Sequence, residues 1–339
     1  MRVLILDQSD VAALLPMSEC IDVMAGALAA LARGDAILPL RNVLRLPDGK
    51  SAFAVMPAYL GPAKAVGAKV ITVFPDNHGT EFDSHQGAVL LFEAERGRLA
   101  AVMDASSITA IRTAAVSGLA TRLLARDDAM DLAILGSGVQ ARTHLEAICA
   151  VRAVSRARVW SRNADAVRAF AEREARRLGV AVEPARSARE AVDGADIVCT
   201  ATSSREPVLA GEWLAEGAHV NAVGASLPFA RELDTAAVAR GRLYVDRRES
   251  ALNEAGDFLI PKREGAIGDD HIVGEVGELL LGRVTGRRSR REITIFKSLG
   301  LAVEDVAAAA FLYERARAEG RGSSVELGGE RAAVGSARD

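Results

Sequence analysis

The segment that most constrains the fold is a glycine-containing turn between an apolar strand and a helix. It begins at Gly136, and Gly138, Val139 and Ala141 follow in the order G-x-G-x-x-A. Gly136 allows a tight turn, Gly138 leaves room for a phosphate group, and the small Ala141 allows close packing of the helix on the strand. A helix that begins near Val139 also presents unpaired N–H groups to an anion. A second predicted strand at 157–160 completes a βαβ unit, so the sequence favours nucleotide binding over a purely structural turn.

Two patterns of predicted elements divide the chain. Residues 37–103 read as short strands separated by turns, between a helix capped by Ser18 that ends at Gly34 and a second helix at 108–125. From residue 131 strands alternate with helices, which is typical of a parallel sheet covered on both faces. The sequence therefore predicts an α/β fold with a doubly wound parallel-sheet (Rossmann) domain and a sheet-rich α+β domain.

The predicted domain boundaries follow from these patterns. Residues 1–125 form the sheet-rich domain and 126–292 the Rossmann domain. Residues 293–319, with a strand at 293–296 and a helix at 303–317, are expected to return to the first domain. The tail at 320–339 is rich in Gly, Arg, Ser and Glu and is expected to be disordered.

Composition excludes several classes of partner. The net charge of −3, with arginines interleaved among acids, is not the footprint of a nucleic-acid-binding protein. No apolar run reaches the roughly 18 residues of a membrane span. The three cysteines are widely separated in apolar segments, which predicts reduced thiols and a cytoplasmic location. The five histidines show no metal-ligand spacing, so we expect no metal.

The end of the second strand indicates which nucleotide binds. NAD-binding proteins place an acid there for the ribose 2′-hydroxyl, whereas this chain has Ser161, Arg162 and Asn163. These side chains are able to donate to a 2′-phosphate, so NADP(H) is favoured and NAD(H) stays possible. Ligands of such sheets bind at the carboxyl ends of the strands, which also places Thr200, Thr202 and 224–226 near the cofactor.

Nine ordered segments carry a resemblance to the ornithine cyclodeaminase and mu-crystallin superfamily, and they extend over most of the chain. They are Met56-Pro-Ala-Tyr59, Ala68-Lys69-Val-Ile-Thr, Ser84-His85-Gln86, Ala101-Val-Met-Asp104, Ile111-Arg112-Thr113-Ala-Ala-Val-Ser117, the Gly136 turn, Asn221-Ala-Val-Gly224-Ala-Ser226, Arg231-Glu-Leu-Asp234 and Phe296-Lys297-Ser298-Leu-Gly300. Trp160-Ser-Arg162 and the segments around Ser226 and Asp234 look most like the mu-crystallin branch, which reduces ketimines with a nicotinamide cofactor. The resemblance implies a homodimer formed through the sheet-rich, substrate-binding domain.

The resemblance also implies a set of site residues. Three cations, Arg41, Lys69 and Arg112, are expected to hold a substrate carboxylate, and Arg112 is expected near the start of its helix, where the dipole favours an anion. The expected cofactor-binding residues are Thr113, Gly136, Gly138, Val139, Gln140, Ser161, Arg162, Asn163, Thr200, Thr202, Gly224, Ser226 and Ser298.

Lys69 is the expected proton donor. It lies within an apolar strand, where an ammonium without an anionic partner is costly and where burial and neighbouring arginines lower its pKa. Water ordered by Ser226 or His85 is an alternative source of the proton. Arg45 is expected to meet a second carboxylate if the substrate is a dicarboxylic imine.

Two departures from the cyclodeaminase pattern favour reduction. Cyclodeaminases of the superfamily have carboxylates where this chain has Ala54 and Ser226. We therefore expect a pocket with three cations and no acid, suited to a small 2-imino or 2-keto carboxylate such as pyrroline-2-carboxylate, piperideine-2-carboxylate or iminosuccinate. The alternatives are an amino-acid dehydrogenase of the alanine type, an ornithine cyclodeaminase, and a non-catalytic binder of NADPH and small ligands like a crystallin.

Overall fold

The computed structural model of the chain describes residues 1–77 and 79–329. The described strands form two eight-stranded sheets, so the predicted α/β fold class is confirmed. The strands are β1 (Arg2–Leu6), β2 (Ala36–Ile37), β3 (Asn42–Arg45), β4 (Ala52–Leu60), β5 (Ala65–Val73), β6 (His85–Glu93), β7 (Leu99–Asp104), β8 (Asp131–Leu135), β9 (Arg156–Trp160), β10 (Ala181–Pro184), β11 (Ile197–Thr200), β12 (His219–Ala222), β13 (Arg242–Val245), β14 (Ile272–Glu275), β15 (Thr294–Lys297) and β16 (Ser323–Glu326). The helices are α1 (Gln8–Leu14), α2 (Met17–Arg33), α3 (Ala105–Leu124), α4 (Val139–Val151), α5 (Ala164–Leu178), α6 (Ala188–Val192), α7 (Thr235–Arg240), α8 (Arg248–Glu254), α9 (Gly256–Arg263), α10 (Val276–Leu280) and α11 (Ala302–Glu319).

The first sheet has one covered face and one open face. Its order is β16-β1-β7-β6-β5-β4-β2, with β3 also paired to β4. Strands β4 to β7 are antiparallel neighbours. Along β4 every second residue from Ala52 to Leu60 is buried, and α11 packs on β4, β5 and β6. This alternation means that one face forms the core, while the face that carries Phe53 stays accessible.

The second sheet is parallel throughout. Its order is β10-β9-β8-β11-β12-β15-β13-β14, and every neighbouring pair runs in the same direction. All four residues of β11, β12 and β15 are buried, as expected for strands covered on both faces. The carboxyl ends of its strands therefore lie along one edge, where a ligand binds in such folds.

Helix α3 connects the two sheets. It packs against α2 and α4 and contacts β6 of the first sheet and β12 of the second. Helix α3 is buried on nearly all sides, from Ala105 to Leu124. The reason is its position between the two sheets, which leaves little of its surface in contact with solvent.

One predicted element lies in the other sheet. The strand expected at 293–296 was assigned to the first domain, and this assignment is wrong, because β15 pairs with β12 on one side and β13 on the other. Helix α11, which follows, packs on the first sheet as expected. The chain therefore crosses between the sheets within residues 298–301. The proposed boundary between residues 125 and 126 stays a prediction.

The predicted disordered tail is partly ordered. Helix α11 ends at Gly320 in the left-handed conformation, and β16 then pairs antiparallel with β1. The expectation of disorder is therefore wrong for 323–326, because the free edge of β1 offers unpaired backbone groups. Residues 330–339, which also belong to this prediction, lie outside the described residues.

The N-terminal helices differ from the prediction at one end. The helix expected to be capped by Ser18 begins at Met17, with Pro16 in the cap position, and ends at Gly34 as predicted. A separate helix, α1, precedes it and was not predicted. Asp7 caps α1 by accepting hydrogen bonds from the backbone N–H groups of Ser9 and Asp10.

Three further properties bear on partners and location. Within the described residues no single helix is long and apolar enough to cross a membrane, and only α1 and α2 taken together, bent by 85° at their junction, meet that length and composition. All three cysteines are free, and Cys20 and Cys199 are buried. Across 1–77 and 79–329, no cluster of three or more His, Cys, Asp or Glu residues is arranged to hold a metal.

Candidate functional site

The glycine turn after β8 requires its first glycine. Gly136 has a φ of 129°, which residues with side chains rarely adopt, and a Cβ atom there would lie 2.4 Å from the carbonyl oxygen of Ala201. The backbone N–H of Gly136 donates to the carbonyl of Trp160 at 2.7 Å. The turn is therefore fixed against the ends of both β9 and β11.

The start of α4 fits the pyrophosphate of a dinucleotide. Gly138 is the N-cap residue and makes no side-chain cap, and a Cβ atom on it would meet no atom within 4 Å. Ala141 is fully buried, which allows the close helix packing that the sequence predicted. The side-chain oxygen of Gln140 is buried without a hydrogen-bond partner in the described part of the chain. Open space beside uncapped N–H groups is the environment that an anion needs.

The residues expected near the ribose lie beside this turn. The hydroxyls of Ser137 and Ser161 are 2.9 Å apart, which joins the turn to the end of β9. Asn163 caps α5 by accepting from the N–H groups of Asp165 and Ala166, so its side-chain oxygen is already used. Arg162 is exposed. None of the residues 160–163 is an acid.

The polar residues at the ends of β11 and β12 converge on a carboxylate that sequence reasoning missed. Glu232 accepts hydrogen bonds from the hydroxyls of Thr200 and Thr202 and from the backbone N–H groups of Thr202 and Gly224. Thr200 is fully buried, so its side chain lies behind the surface of the cleft. Glu232 belongs to the Arg231-Glu-Leu-Asp234 segment that resembles the family, but the sequence analysis predicted no role for it.

The other expected cofactor residues lie along the same region. Ser226 is exposed beyond Gly224. Ser298 is buried and its backbone N–H donates to the carbonyl of Ala222 at 3.0 Å. Thr113 is buried in α3, next to Arg112. The assignment of these residues to a cofactor stays a prediction.

Each of the three expected substrate-binding cations is paired with an acid. The Lys69 Nζ lies 2.9 Å from an oxygen of Asp305. Arg112 donates from Nε to Asp305 at 2.8 Å and from Nη1 to Glu304 at 2.7 Å. In a separate pair, Arg41 lies 3.0 Å from Glu254.

The three cations nevertheless lie in one place. Arg41 donates to the carbonyl oxygens of Leu299 and Gly300, at 2.9 and 3.1 Å. Gly300 has a φ of 76°, and a Cβ atom on it would lie 2.6 Å from Nη1 of Arg112. The charges of Arg112 and Arg41 both lower the pKa of Lys69, so all three interact. Residues 298–300 follow β15, at the same edge of the parallel sheet as the Gly136 turn.

The expectation of a pocket without acids is wrong. Glu254, Glu304 and Asp305 pair directly with the cations, and buried Asp246 accepts from the N–H of Gly300 at 2.8 Å. Buried cations require such partners, because unpaired ammonium or guanidinium groups are too costly to bury. One feature of the local sequence could have predicted these acids. Glu304 and Asp305 are adjacent in a helix that is otherwise apolar from 302 to 312, which indicates that they are buried.

Arg112 also differs from the prediction in its place on the helix. Helix α3 begins at Ala105, so Arg112 lies two turns into it and not at its N-terminus. The helix dipole acts mainly within the first turn. The stabilisation of Arg112 therefore comes from Glu304 and Asp305.

Burial and mutual charges shift the pKa values of this cluster. Burial, followed by the charges of Arg112 and Arg41, lowers the pKa of Lys69 to about 8, although Asp305 opposes the shift. Burial raises the pKa of Glu304 to about 7, against the effect of Arg112. Burial also favours the neutral form of Asp305, but the charges of Arg112 and Lys69 outweigh it and lower the pKa. Two groups of the cluster therefore titrate near neutral pH.

The last two expected site residues lie at the margin of the cluster. His85 is exposed at the start of β6, and its ring nitrogen Nδ1 lies 3.2 Å from the hydroxyl of Ser84. Desolvation by the surrounding protein atoms lowers the pKa of His85, and the charge of Lys69 lowers it further. The ring of His85 therefore lies near Lys69. Arg45 is exposed on β3 and, within the described residues, makes no hydrogen bond or ion pair with the cluster.

Comparisons with known proteins agree with this arrangement. The sequence profile of the ornithine cyclodeaminase/mu-crystallin family matches residues 1–320. The chain is 37% identical over 315 residues to the Delta(1)-pyrroline-2-carboxylate reductase of Bacillus cereus, covering 93% of this chain and 97% of that one. It is 41% identical over 281 residues to the ketimine reductase mu-crystallin of Mus musculus, covering 83% and 86% respectively. The solved structure of Delta(1)-pyrroline-2-carboxylate reductase from Thermococcus litoralis, in complex with NADH and L-proline, matches with a TM-score of 0.93 and 41% identity over 95% of this chain and 100% of that chain. The chain belongs to the ornithine cyclodeaminase/mu-crystallin family.

Proposed function

We propose that this protein is an NAD(P)H-dependent reductase that converts a small 2-imino carboxylate into an amino acid. One observation carries the proposal: Arg41 and Arg112 both contact residues 298–300, at the sheet edge that also holds the Gly136 turn. The cations proposed to bind the carboxylate and the turn proposed to bind the dinucleotide are therefore neighbours. The names of the relatives, which are reductases of imines, support the same reaction.

The cluster retains donors for a substrate carboxylate. A guanidinium group has five N–H donors, and the two acids that bind Arg112 use two of them. The remaining donors of Arg112 suit the planar geometry of a carboxylate. A pKa near 7 also means that Glu304 is partly protonated at neutral pH, which lessens its repulsion of a bound anion.

Lys69 supplies the proton in the proposed reaction. A bound nicotinamide cofactor supplies a hydride to the carbon of the C=N bond, and the nitrogen gains one proton. The ammonium group of Lys69 holds that proton, and its pKa of about 8 keeps it mostly protonated at neutral pH while making transfer easier than from an ordinary lysine. His85 and Ser226 remain the alternative groups that order a proton-donating water.

The alternative activities are less well supported. Cyclodeamination requires a group to hold a second, cationic amine, and Ala54 is buried and uncharged while Ser226 carries no charge. The acids that sequence reasoning missed do not replace them, because Glu304 and Asp305 are held by Arg112. Oxidation of an amino acid is the same chemistry run in reverse. A purely apolar ligand would have no use for these three cations.

A turnover assay tests the proposal. Purified protein is mixed with NADPH or NADH and, separately, with pyrroline-2-carboxylate, piperideine-2-carboxylate or iminosuccinate, and the absorbance of the reduced cofactor is followed. We expect consumption of the cofactor with at least one imine. Binding of NADPH without turnover of any imine or 2-keto acid with ammonia would contradict the proposal and favour the non-catalytic binder.

We expect Arg162 to determine the preference for NADP(H). Removing its guanidinium in Arg162→Ala should raise the Kd of NADPH about tenfold, because one charge-assisted contact to the 2′-phosphate is lost. The Kd of NADH should stay within about twofold, since it has no phosphate there. Quenching of protein fluorescence or calorimetry measures both constants.

A matched variant controls for charge on the same surface. Arg168→Ala removes an exposed arginine of α5 that pairs with Asp165. This change should raise the Kd of NADPH and the Kd of NADH only slightly and by the same factor. If Arg162→Ala raises the Kd of NADPH and the Kd of NADH by the same factor, Arg162 does not bind the 2′-phosphate.

We also propose that two copies of the chain pair through the open face of the first sheet. An apolar cleft of about 550 Å³ is lined by Leu44, Phe53, Val55, Pro57 and their neighbours. The side chain of Leu44 on the edge strand β3 is 60% exposed, which is unusual for a leucine in a strand. Such an exposed apolar face is typical of a self-association surface with twofold symmetry.

Leu44→Asp should separate the copies. An unpaired charge at the centre of the contact should raise the dissociation constant of the dimer at least about a hundredfold. Sedimentation velocity measures it, and Leu327→Asp, at an exposed leucine after β16, is the control that should leave the dimer intact. A wild-type monomer at micromolar concentration, or an unchanged dimer in Leu44→Asp, would contradict this interface.

We propose the cytoplasm as the location of the protein. Three free cysteines, of which Cys20 and Cys199 are buried, are compatible with a reducing compartment. Fractionation of cells that express the tagged protein tests this assignment.

A further inference from the structure

Glu232 is a fully buried carboxylate beneath the carboxyl ends of β11 and β12. Its Oε1 accepts from the N–H of Thr202 at 2.7 Å and from the hydroxyl of Thr202 at 2.6 Å. Its Oε2 accepts from the hydroxyl of Thr200 at 2.7 Å and from the N–H of Gly224 at 2.6 Å. Four short hydrogen bonds thus join the ends of two neighbouring strands through one side chain.

The hydrogen-bond pattern requires a group that accepts on both oxygens. An ionised carboxylate has no proton to donate and accommodates four donors, whereas a glutamine would turn an NH2 group towards two of them. The hydroxyl of Thr202 also accepts from the N–H of Ser204, so its own proton is available for Glu232. The geometry therefore favours an anion at this position.

The neighbouring ion pair does not cancel this charge by direct contact. Lys297 Nζ lies 2.9 Å from Asp257, and the other oxygen of Asp257 accepts from the N–H groups of Glu232 and Leu233. The three charges therefore sum to −1. Burial and Asp257 raise the pKa of Glu232, against the effect of Thr202 and Lys297, so binding is best measured on the alkaline side of neutrality.

The sheet order places Glu232 under the nicotinamide half of the cofactor site. The Gly136 turn follows β8, and the residues for the adenosine ribose follow β9, on one side of it. A dinucleotide extends across this point, so its other half lies over β11 and β12. A Cβ atom on Gly224 would lie 2.2 Å from the carbonyl oxygen of Thr202 and 2.5 Å from Oε1 of Glu232, so no side chain fits between the backbone of Gly224 and the carboxylate.

We propose that Glu232 is a positioning residue that fixes Thr202 and Gly224 under the nicotinamide and, through its negative charge, favours the cationic oxidised ring over the neutral reduced one. The inference rests on the proposed use of a nicotinamide cofactor. It gives the buried carboxylate a role in the energetics of hydride release, in addition to holding two strand ends together.

Cofactor binding without turnover tests the proposal. In Glu232→Gln we expect both forms of the cofactor to bind more weakly, and the ratio of the Kd of the oxidised form to the Kd of the reduced form to rise about tenfold at pH 8. Thr202→Val removes the hydroxyl, and with it one hydrogen bond to Glu232 and one from the N–H of Ser204, but it keeps the charge and should leave this ratio unchanged. Glu232→Asp keeps the charge and should retain the wild-type ratio. Calorimetry measures each constant.

A second variant that removes one negative charge from the same buried cluster keeps the test valid if Glu232→Gln does not fold. Asp257→Asn keeps an oxygen for the N–H groups of Glu232 and Leu233 but makes the buried cluster more positive by the same single charge. The ratio should therefore rise in this variant too. Equal weakening of both cofactor forms in Glu232→Gln and in Asp257→Asn would overturn the electrostatic role. Failure of the wild-type protein to bind either form would instead overturn the proposed function.

Discussion

Replacement of Arg112 by methionine is expected to lower the free energy of unfolding by about 3 to 5 kcal/mol, because it leaves buried Glu304 without a cation and Asp305 with Lys69 alone. Arg112 is 3% exposed and donates to both Glu304 and Asp305. Methionine fills most of the volume of the arginine stem, so the loss reports the missing charge more than a cavity. Urea unfolding followed by circular dichroism measures the change.

The same helix provides a matched control. Arg122 lies in α3 as well but pairs with Asp22 at the surface, and its side chain is 42% exposed. Arg122→Met should cost less than about 1 kcal/mol, because solvent screens an exposed pair. Neutralising Glu304 together with the arginine, in the double change of Arg112→Met and Glu304→Gln, should recover much of the stability, because Asp305 keeps Lys69 as its partner. A loss in Arg112→Met no larger than in Arg122→Met would contradict this account.

Replacement of Lys69 by methionine is expected to reduce kcat for imine reduction by a factor of about 100 to 10,000, because the proposed proton donor is lost. The Kd of NADPH should change little, since Lys69 lies in the first sheet and the dinucleotide turn in the second. Arginine should not rescue the rate, because a guanidinium group does not release its proton near neutral pH. Single-turnover measurements at saturating substrate give the rate.

The pH dependence of the rate gives a second readout for Lys69. The ammonium form transfers the proton, and the pKa of Lys69 is about 8, so kcat should fall as the pH rises through about 8. Glu304, with a pKa of about 7, gains a negative charge over a lower range and should weaken substrate binding there. Glu304→Gln should remove the lower transition in kcat/KM and keep the upper one. Lys50→Met, at an exposed lysine that pairs with Asp76, should leave both transitions in place.

The parts of the site that were predicted from the sequence depend on local geometry. Gly136 and Gly138 are separated by one residue, and the requirement for a positive φ and an open approach arises within the turn itself. The strands β4 to β7 were predicted because runs of strand length are separated by turn residues. The three cations were named from the family resemblance, and the structure places Arg41 and Arg112 at Gly300 and joins Lys69 to Arg112 through Asp305.

The parts that the sequence did not predict depend on contacts between distant residues. Asp305 is 193 positions from Arg112, and no local pattern connects them. Glu232 is 30 positions from Thr202, and a glutamate in a loop is usually exposed, so its burial was not evident. The strand at 294–297 is apolar and fits either sheet by composition. Only the pairing of β15 with β12 and β13 decides its place.

The position of β15 limits how this protein can be recombined with its relatives. An exchange of residues 126–292 alone would transfer the parallel sheet without its interior strand β15, which pairs with β12 and β13. The β15 strand of this chain would then have to pair with β12 and β13 strands from the relative. Lys297 would also need an acid of the relative at the position of Asp257. A chimera that changes cofactor preference and keeps the substrate therefore needs two segments, one of which ends between Lys297 and the acids of α11.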